Sequence, residues 1–382
     1  MSDVEAGSGG SPAGALADAK ARSARLEAQL RRDPSSHRVL TGDRPTGPLH
    51  LGHYFGTLEN RVRLQDLGVD LLVLVADYQT IIDRDSPSSL PGDVEGLVAD
   101  YLAVGIDPGR ATIFAHSQVE PLNQLLLPFL SLVSVAELSR NPTVKEEMAA
   151  AGLASMSGLL FTYPVHQAAD ILFCKATTVP VGKDQLPHVE LTRLIARRFN
   201  RRYSPGVPLF PEPDALLSEA PALLGTDGQK MSKSRSNSIA ISATAEETAQ
   251  LIVATRTDAD REITYDPINR PEVSNLVLLA ALCLDRRPEA VASEIGAAGS
   301  GALKRLVVDA VNERFREIRA RRLELAGDPG HLREVLHAGN LRACEIAEQT
   351  LDEVRRLMHT DYPDRASRGR RGSGPTRAAS TR

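Results

Sequence analysis

Two histidines three residues apart, His50 and His53, lie in the stretch Thr41-Gly-Asp-Arg-Pro-Thr-Gly-Pro-Leu-His-Leu-Gly-His53. Residues at that spacing share one face of a helix, so both imidazoles would point the same way. A helix starting near His50 would offer free N–H donors and positive potential, a natural seat for phosphate. Gly52, with no side chain, would let a flat ring such as adenine approach the backbone. Taken alone, the pair fits two surface histidines beside a turn equally well. A second cluster, Lys230-Met-Ser-Lys-Ser234, follows Gly225 and Gly228 in a run of small residues. On a closing loop, Lys230 and Lys233 could neutralise the charge that develops as pyrophosphate leaves a triphosphate. For a lysine pair by itself, a solvated loop is the commoner case.

The elements that must hold these residues alternate between strand and helix. Arg38-Val-Leu-Thr-Gly42 reads as a strand, followed by a Pro and Gly turn and a helix opening near His50. The apolar run Asp70 to Ala76 fits a strand buried on both faces of a parallel sheet, and Thr112 to His116 reads as another. Helical pattern fills Pro87 to Val104, and again Val119 to Gly158, which reads as an insertion between two halves of the sheet. The alternation resumes with Tyr163 to Phe173, Thr178-Val-Pro-Val181 and a helix from Gln185 to Phe199, while residues 204 to 229 look like loop. This predicts a doubly wound α/β sheet with a parallel, Rossmann-like core, whose ligands sit at the carboxyl ends of the strands. Beyond Thr244 the strands stop. Glu246 to Thr255, Ser274 to Leu284, Leu303 to Leu325 and Asp328 to Met358 all read as helices of a separate C-terminal domain. The expected organisation is an N-terminal extension (1–36, with a helix over Ala13 to Arg32), a catalytic domain (37–243, insertion about 119–158), a helical domain (244–362) and a basic tail (363–382).

Composition bounds the class. With 382 residues, 45 Lys and Arg, 49 Asp and Glu and a net charge of −4, the chain is neither a disulfide mini-protein nor a basic nucleic-acid coat. The charge is unevenly placed: six arginines against one aspartate from Pro363 onward leave residues 1–362 at −9. Three dispersed cysteines, Cys174, Cys283 and Cys344, suit a reducing cytoplasm. The longest apolar run, Leu276 to Leu284, is about half of a membrane span, and Met1 to Ala15 lacks the pattern of a signal peptide. Trp is absent.

The two clusters are more telling together than apart. A strand–HxGH–helix near the front, with KMSKS closing the α/β half, resembles the class I aminoacyl-tRNA synthetases, whose signatures these are. The finer likeness is to the tryptophanyl-tRNA synthetases and covers about Arg38 to Met358. It rests on Leu102-Ala-Val-Gly-Ile-Asp-Pro108, Thr162-Tyr-Pro164, Ala168-Ala-Asp-Ile-Leu172, Val179-Pro-Val-Gly-Lys-Asp-Gln185, His188-Val-Glu-Leu-Thr-Arg193 and Arg198-Phe-Asn200. In detail it looks most like the divergent second bacterial type, some members of which are auxiliary enzymes.

The resemblance implies ATP-dependent activation of L-tryptophan and transfer to tRNA(Trp) in the cytoplasm. On it, His50, His53, Lys230 and Lys233 are the catalytic candidates. Arg44, Pro45, Thr46, Gly52, His53, Gly182, Lys183, Asp184 and the loop Lys230, Met231, Ser232, Lys233, Ser234 fall on ATP-contacting positions. Asp170 falls where a carboxylate accepts the indole N–H, Tyr163 and Gln185 where the α-ammonium is held, Val179 and Val181 where the ring is walled, and Gln79 and Gln167 on further pocket positions. Without the resemblance, a carboxylate in the apolar run Ala168 to Phe173 needs some donor, from ligand or protein. Mg2+ is expected to arrive with ATP, partly hydrated, so no all-protein metal site is expected. Lys145 matches a family lysine. Arg314, Arg316, Arg319 and Arg322 read first as solubility charges on a helix; in this family that domain reads the anticodon, and phosphate contacts are what such arginines supply. A homodimer follows from the resemblance alone.

Several positions depart from the family pattern. His50 and His53 replace the Thr and Asn common in tryptophanyl enzymes, and Arg44 stands where many have Gln. Gln167 and Gln79 stand where the main bacterial type has Met and His, which leaves open a synthetase specialised for a substituted tryptophan or for inhibitor resistance. The tyrosyl enzymes, which share fold and signatures, are the nearest rival.

Overall fold

The computed structural model describes residues 12–82, 89–141, 156–218 and 223–362. Five strands, β1 (Arg38–Asp43), β2 (Asp70–Val75), β3 (Ala111–Ala115), β4 (Thr178–Val181) and β5 (Asp214–Leu217), form one parallel sheet in the order β3-β2-β1-β4-β5. That order is the doubly wound arrangement expected, with the reversal between β1 and β4. From Leu71 onward β2 is buried at every residue, as is all of β3, which is why both read as apolar runs rather than alternating ones. One strand was not anticipated: β5 lies inside the Pro-rich stretch 204–229 read as loop. With four residues, it is stabilised by pairing with β4 and by the Leu217 N–H donating to Ser23 Oγ (2.9 Å).

The β1–β4 pairing is what opens a crevice. It is registered only at Val39 and Thr178. Pro180, two residues on and so facing the same neighbour, has no N–H with which to extend the ladder. The carboxyl halves of the two strands are therefore free to part at the reversal point.

Helices cover both faces. The first, α1 (Pro12–Arg32), lies against β5 and buries Leu26 and Leu30. After β1 the chain enters α2, a continuous helix built of an α turn (Leu51–His53), a π segment (Tyr54–Leu58) and α again (Glu59–Leu67). Then follow α3 (Leu90–Val104), α4 (Gly158–Leu172) and α5 (Leu186–Tyr203). Between β3 and α4 are three short helices, Glu120–Gln124, Leu126–Leu130 and Val135–Ser139; the rest of the expected insertion, including Lys145, lies outside the described residues. So does the tail from 363.

The C-terminal part is α6 (Ala245–Ala254), α7 (Pro271–Leu284), α8 (Pro288–Ile295), α9 (Ser300–Ala326) and α10 (Pro329–Leu357). It is all helical, as expected, with α8 unanticipated because its eight residues carry too short an apolar pattern. Its packing is continuous with the sheet layer: Phe315 of α9 meets Tyr54 edge-to-face at 4.7 Å, and Leu276, Val277 and Val307 join the same core as Val39 and Leu71. The exposed edge of β3 is covered by α10, whose Asn340 Oδ1 accepts the Ala115 N–H (2.9 Å). Gly339 makes that closeness feasible, since a Cβ there would lie 1.8 Å from the Ile113 carbonyl oxygen.

Candidate active site

The end of β1 is anchored by a buried polar triad. Asp43 accepts from Arg61 Nη1 (2.5 Å) and from the Tyr101 hydroxyl (2.8 Å), and Arg61 Nη2 reaches the Gly42 carbonyl (3.3 Å). Burial opposes the charge on Asp43, but the Arg61 guanidinium overrides it and holds the carboxyl well below its usual range. The chain then turns through Arg44, Pro45 and Thr46, where the Thr46 N–H donates to the Arg44 carbonyl (2.8 Å), and enters α2 at His50.

Both histidines sit at that helix start as foreseen, with ring centroids 3.7 Å apart. The His50 backbone N–H donates to His53 Nδ1 (3.1 Å), which leaves the proton of a neutral His53 on Nε2. Burial, and then the neighbouring His53 and Lys233, push the His50 imidazole down to about 3 against the pull of Asp43. Burial likewise takes His53 down to about 4 against the pull of Asp43, with Lys233 and Arg61 adding to the effect of burial. Both are neutral near pH 7 and act as hydrogen-bonding groups rather than cations. Gly52 is needed for packing as well as for access: a Cβ there would press on the His50 ring at 3.0 Å.

The KMSKS loop docks on this turn. Ile239 and Ile241 bracket the helix start, the Leu51 N–H donating to the Ile239 carbonyl (3.0 Å) and the Ile241 N–H to the Leu49 carbonyl (2.9 Å). Lys233 Nζ donates to the Gly47 carbonyl (2.7 Å). Asn237, buried, organises the loop by accepting the Ser232 N–H (2.8 Å) and donating to Asp227 Oδ1 (2.8 Å) and the Lys230 carbonyl (3.2 Å). Met231 is buried, and Lys230 is exposed. Lys233 thus docks beside the histidine pair, while Lys230 faces solvent.

The remaining candidates gather around α4 and β4. Asp170 is fully buried on α4, with both carboxylate oxygens lacking a hydrogen-bond partner. Tyr163, one face up the same helix, places its hydroxyl 3.0 Å from His188 Nε2, and burial takes His188 down to about 4 despite Asp184 nearby. Val179 and Val181 are buried on β4, and Gln79, Gln167 and Gln185 are half-buried. Gly182, Lys183 and Asp184 are exposed at the end of β4, where a Cβ on Gly182 would meet Asp184 Oδ1 at 2.5 Å.

Arginines expected to meet phosphate are largely tied inward instead. Arg322 Nε pairs with the buried Asp100 (2.7 Å), Arg319 holds Asn312 (2.6 Å) and Thr248 (2.8 Å), and Arg314 holds Glu59 (2.6 Å). Among the described residues Arg316 pairs only with Glu313 of its own helix, and both it and Arg314 remain exposed. The reason is the close packing of α9 on α2, α3 and α6, which makes these side chains the staples between layers. Asp100 itself had carried no signal: it sits mid-helix in α3, yet its Oδ2 accepts the Leu49 N–H (3.0 Å), the donor just ahead of His50. His116, at the end of β3, was also missed, because a lone histidine after an apolar run carries no spacing. Its Nε2 lies 2.9 Å from Asp170 Oδ2.

The family of class I tRNA synthetases (W and Y) matches residues 33–316, and the chain belongs to it. Within that family it falls with the tryptophan enzymes. It is 39% identical over 340 residues to the tryptophan–tRNA ligase of Streptococcus pneumoniae serotype 4, covering 85% of this chain and 98% of that one. It is 42% identical over 330 residues to the ligase of Treponema pallidum, covering 84% and 96%. Among solved structures it is similar to the tryptophanyl-tRNA synthetase of Campylobacter jejuni complexed with ADP and tryptophan, with TM-score 0.73 and 32% identity over 84% of this chain and 99% of that one. The expectations of family, enzyme class and fold are borne out.

Proposed function

We propose that this chain activates L-tryptophan with ATP and transfers the activated amino acid to tRNA(Trp). The observation that carries the reading is the meeting of the two signatures: Lys233 Nζ on the Gly47 carbonyl, beside two neutral histidines at a helix start. The tryptophan carboxylate attacks the α-phosphorus of ATP in line, pyrophosphate leaves, and a ribose hydroxyl of the tRNA's terminal adenosine then takes the acyl group. Neither step needs a covalent enzyme intermediate, so the protein's contribution is positioning and charge stabilisation. His50 and His53 donate to phosphate oxygens as neutral imidazoles; Lys230, Lys233 and Arg44 supply positive charge, with Pro45, Thr46, Gly52, Gly182, Lys183, Asp184, Met231, Ser232 and Ser234 completing the ATP cradle.

Asp170 accepts the indole N–H in this reading, Tyr163 and Gln185 hold the α-ammonium, and Val179, Val181, Gln79 and Gln167 wall the ring. The support for Asp170 is its burial with two unpartnered oxygens, an arrangement costly unless a ligand donates. Mg2+ is read as arriving with ATP: Asp43, the carboxylate beside the histidines, is already taken by Arg61 and Tyr101, leaving the ion to phosphate and water. The helices from 244 onward are read as the anticodon-binding part, within a cytoplasmic enzyme. A homodimer is supported by Leu127 and Val135, 76% and 70% exposed in an apolar stretch whose Leu125, Phe129 and Leu132 are buried. Amino-acid-dependent exchange of pyrophosphate into ATP, run over all twenty amino acids, tests the activity. Exchange with tryptophan alone is expected; exchange with tyrosine, or none, refutes it.

A further inference from the structure

Behind the amino-acid pocket lies a cluster that the proposed reaction does not exhaust. His166 and Asp170 stand one turn apart on α4, and His116 faces them from the end of β3. One nitrogen or oxygen from each lies within 4.8 Å of the others, and the three residues are 9%, 1% and 0% exposed in the order His166, Asp170, His116. His116 Nε2 and Asp170 Oδ2 approach to 2.9 Å without hydrogen-bond alignment, so both nitrogens of His116 and both oxygens of Asp170 stay unpartnered in the interior. Each buried polar atom without a hydrogen bond costs about 1–3 kcal/mol, a cost that a cation shared by these atoms would relieve. Tryptophan offers one N–H from its ring. That satisfies one oxygen of Asp170 and leaves His116 as it was.

The orientation of His166 is the second observation. Asn123 Nδ2 donates to the carbonyls of His116 (3.3 Å) and Val119 (3.2 Å), which turns its Oδ1 toward His166 Nε2 at 2.8 Å. His166 therefore carries its proton on Nε2, and its Nδ1 lone pair is available. Histidines that bind metals are held in this way, the second ring N–H donated to a fixed oxygen. Two imidazoles and one carboxylate make a donor set for zinc or a similar transition cation. Mg2+, which prefers an all-oxygen octahedron, fits poorly.

We infer that His116, His166 and Asp170 form a site for a divalent transition cation of the Zn2+ type, and that the bound cation excludes tryptophan and so holds activation off. The exclusion rests on the proposed contact between Asp170 and the indole; the cation site itself does not. The test is equilibrium dialysis of the metal-free full chain with Zn2+, beside His116→Gln and His166→Gln, with Mg2+ as the control ion. The native chain is expected to take up about one Zn2+, and each variant to bind it at least about 100-fold more weakly. Co2+ bound to the native chain should give the visible bands of a four-coordinate site, a readout that does not depend on how the variants fold. Equal Zn2+ binding by native chain and variants, or none by the native chain, overturns the site. Zn2+ should raise the tryptophan KM in pyrophosphate exchange with kcat unchanged, and saturating tryptophan should release it. Zn2+ that stays bound under saturating tryptophan overturns the exclusion and counts against Asp170 as the indole acceptor. Absence of tryptophan-dependent exchange by the metal-free chain refutes the proposed activity and not the site.

Discussion

Replacing Asp100 with Ala removes the acceptor of the Leu49 N–H and the partner of Arg322 in one step. Losing one member of a buried ion pair costs about 3–5 kcal/mol. The lower end applies here, about 3 kcal/mol, because the Arg322 side chain is 19% exposed and can turn to water. Burial pushes the Asp100 carboxyl up in spite of the Leu49 N–H and Arg322, so its charge is held in the fold at a cost. A well-packed apolar pair, Asp100→Leu with Arg322→Met, is therefore expected to recover most of the lost stability. It does not restore the acceptor for Leu49. With the turn ahead of His50 free to shift by about 1 Å, kcat for pyrophosphate exchange should stay about 100-fold down in the stable double variant. The tryptophan KM, which the proposed function sets around Asp170, should change little. Urea unfolding and exchange kinetics on the same samples separate the two effects. A stable double variant with kcat within threefold of native refutes the view that Asp100 positions the signature turn.

Lys233→Ala should lower kcat for adenylate formation by about 10²–10³ while leaving the fold intact; normal exchange by this variant removes the loop from the mechanism. Asp170→Asn should weaken tryptophan by about 10- to 100-fold with the ATP KM unchanged, the usual range for a hydrogen bond to a charged group, and an equal loss for ATP counts against the assignment. The folded chain holds His50, His53 and His188 at about 3, 4 and 4, below their ordinary 6.5. Below pH 6.5 the unfolded chain thus binds more protons than the folded one. The stabilisation is complete above pH 6.5 and declines as pH falls toward 4, by up to about 1.4 kcal/mol per unit for each histidine. Urea midpoints from pH 7.5 to 5 measure it, and His188→Gln should flatten the slope. Gly339→Ala, with its Cβ 1.8 Å from the Ile113 carbonyl oxygen, should cost at least about 3 kcal/mol by forcing α10 off β3; a wild-type midpoint contradicts that packing.

Much of the sheet was legible because strands buried on both faces leave continuous apolar runs, and β2 and β4 fall within one residue of their expected limits. The strand β5 was not, since four half-buried residues in a Pro-rich stretch carry neither a run nor an alternation and depend on β4 for their conformation. The site shows the same division. His50, His53, Lys230 and Lys233 announce themselves by spacing. Asp100, Arg61 and His116 do not, because their roles arise from contacts between residues 18 to 222 positions apart: Asp43 with Arg61, Leu49 with Asp100, Asp100 with Arg322. The partners of the C-terminal arginines were not legible for the same reason, since an amphipathic helix reveals which side is charged but not which neighbour meets the charge.

In the proposed reaction, the neutrality of the histidine pair decides how charge is shared. At a helix start beside Lys233 and Arg61, imidazolium would add a cation to a region already positive and largely closed to water, and burial makes that addition the costliest term. The fold instead spends the His50 N–H on fixing the tautomer of His53, so that its proton sits on Nε2 without a net charge. Donors of that kind need no rearrangement when charge builds on phosphate oxygens, which is the condition for electrostatic stabilisation to act on the transition state. Net positive charge is left to the lysines of a loop whose position is set by one hydrogen bond to Gly47 and by a short bridge at Ala240. In the proposed reaction, fixed neutral donors on the helix and cations on the loop would together let the site bind a triphosphate and still release pyrophosphate, something a cluster of four cations would oppose.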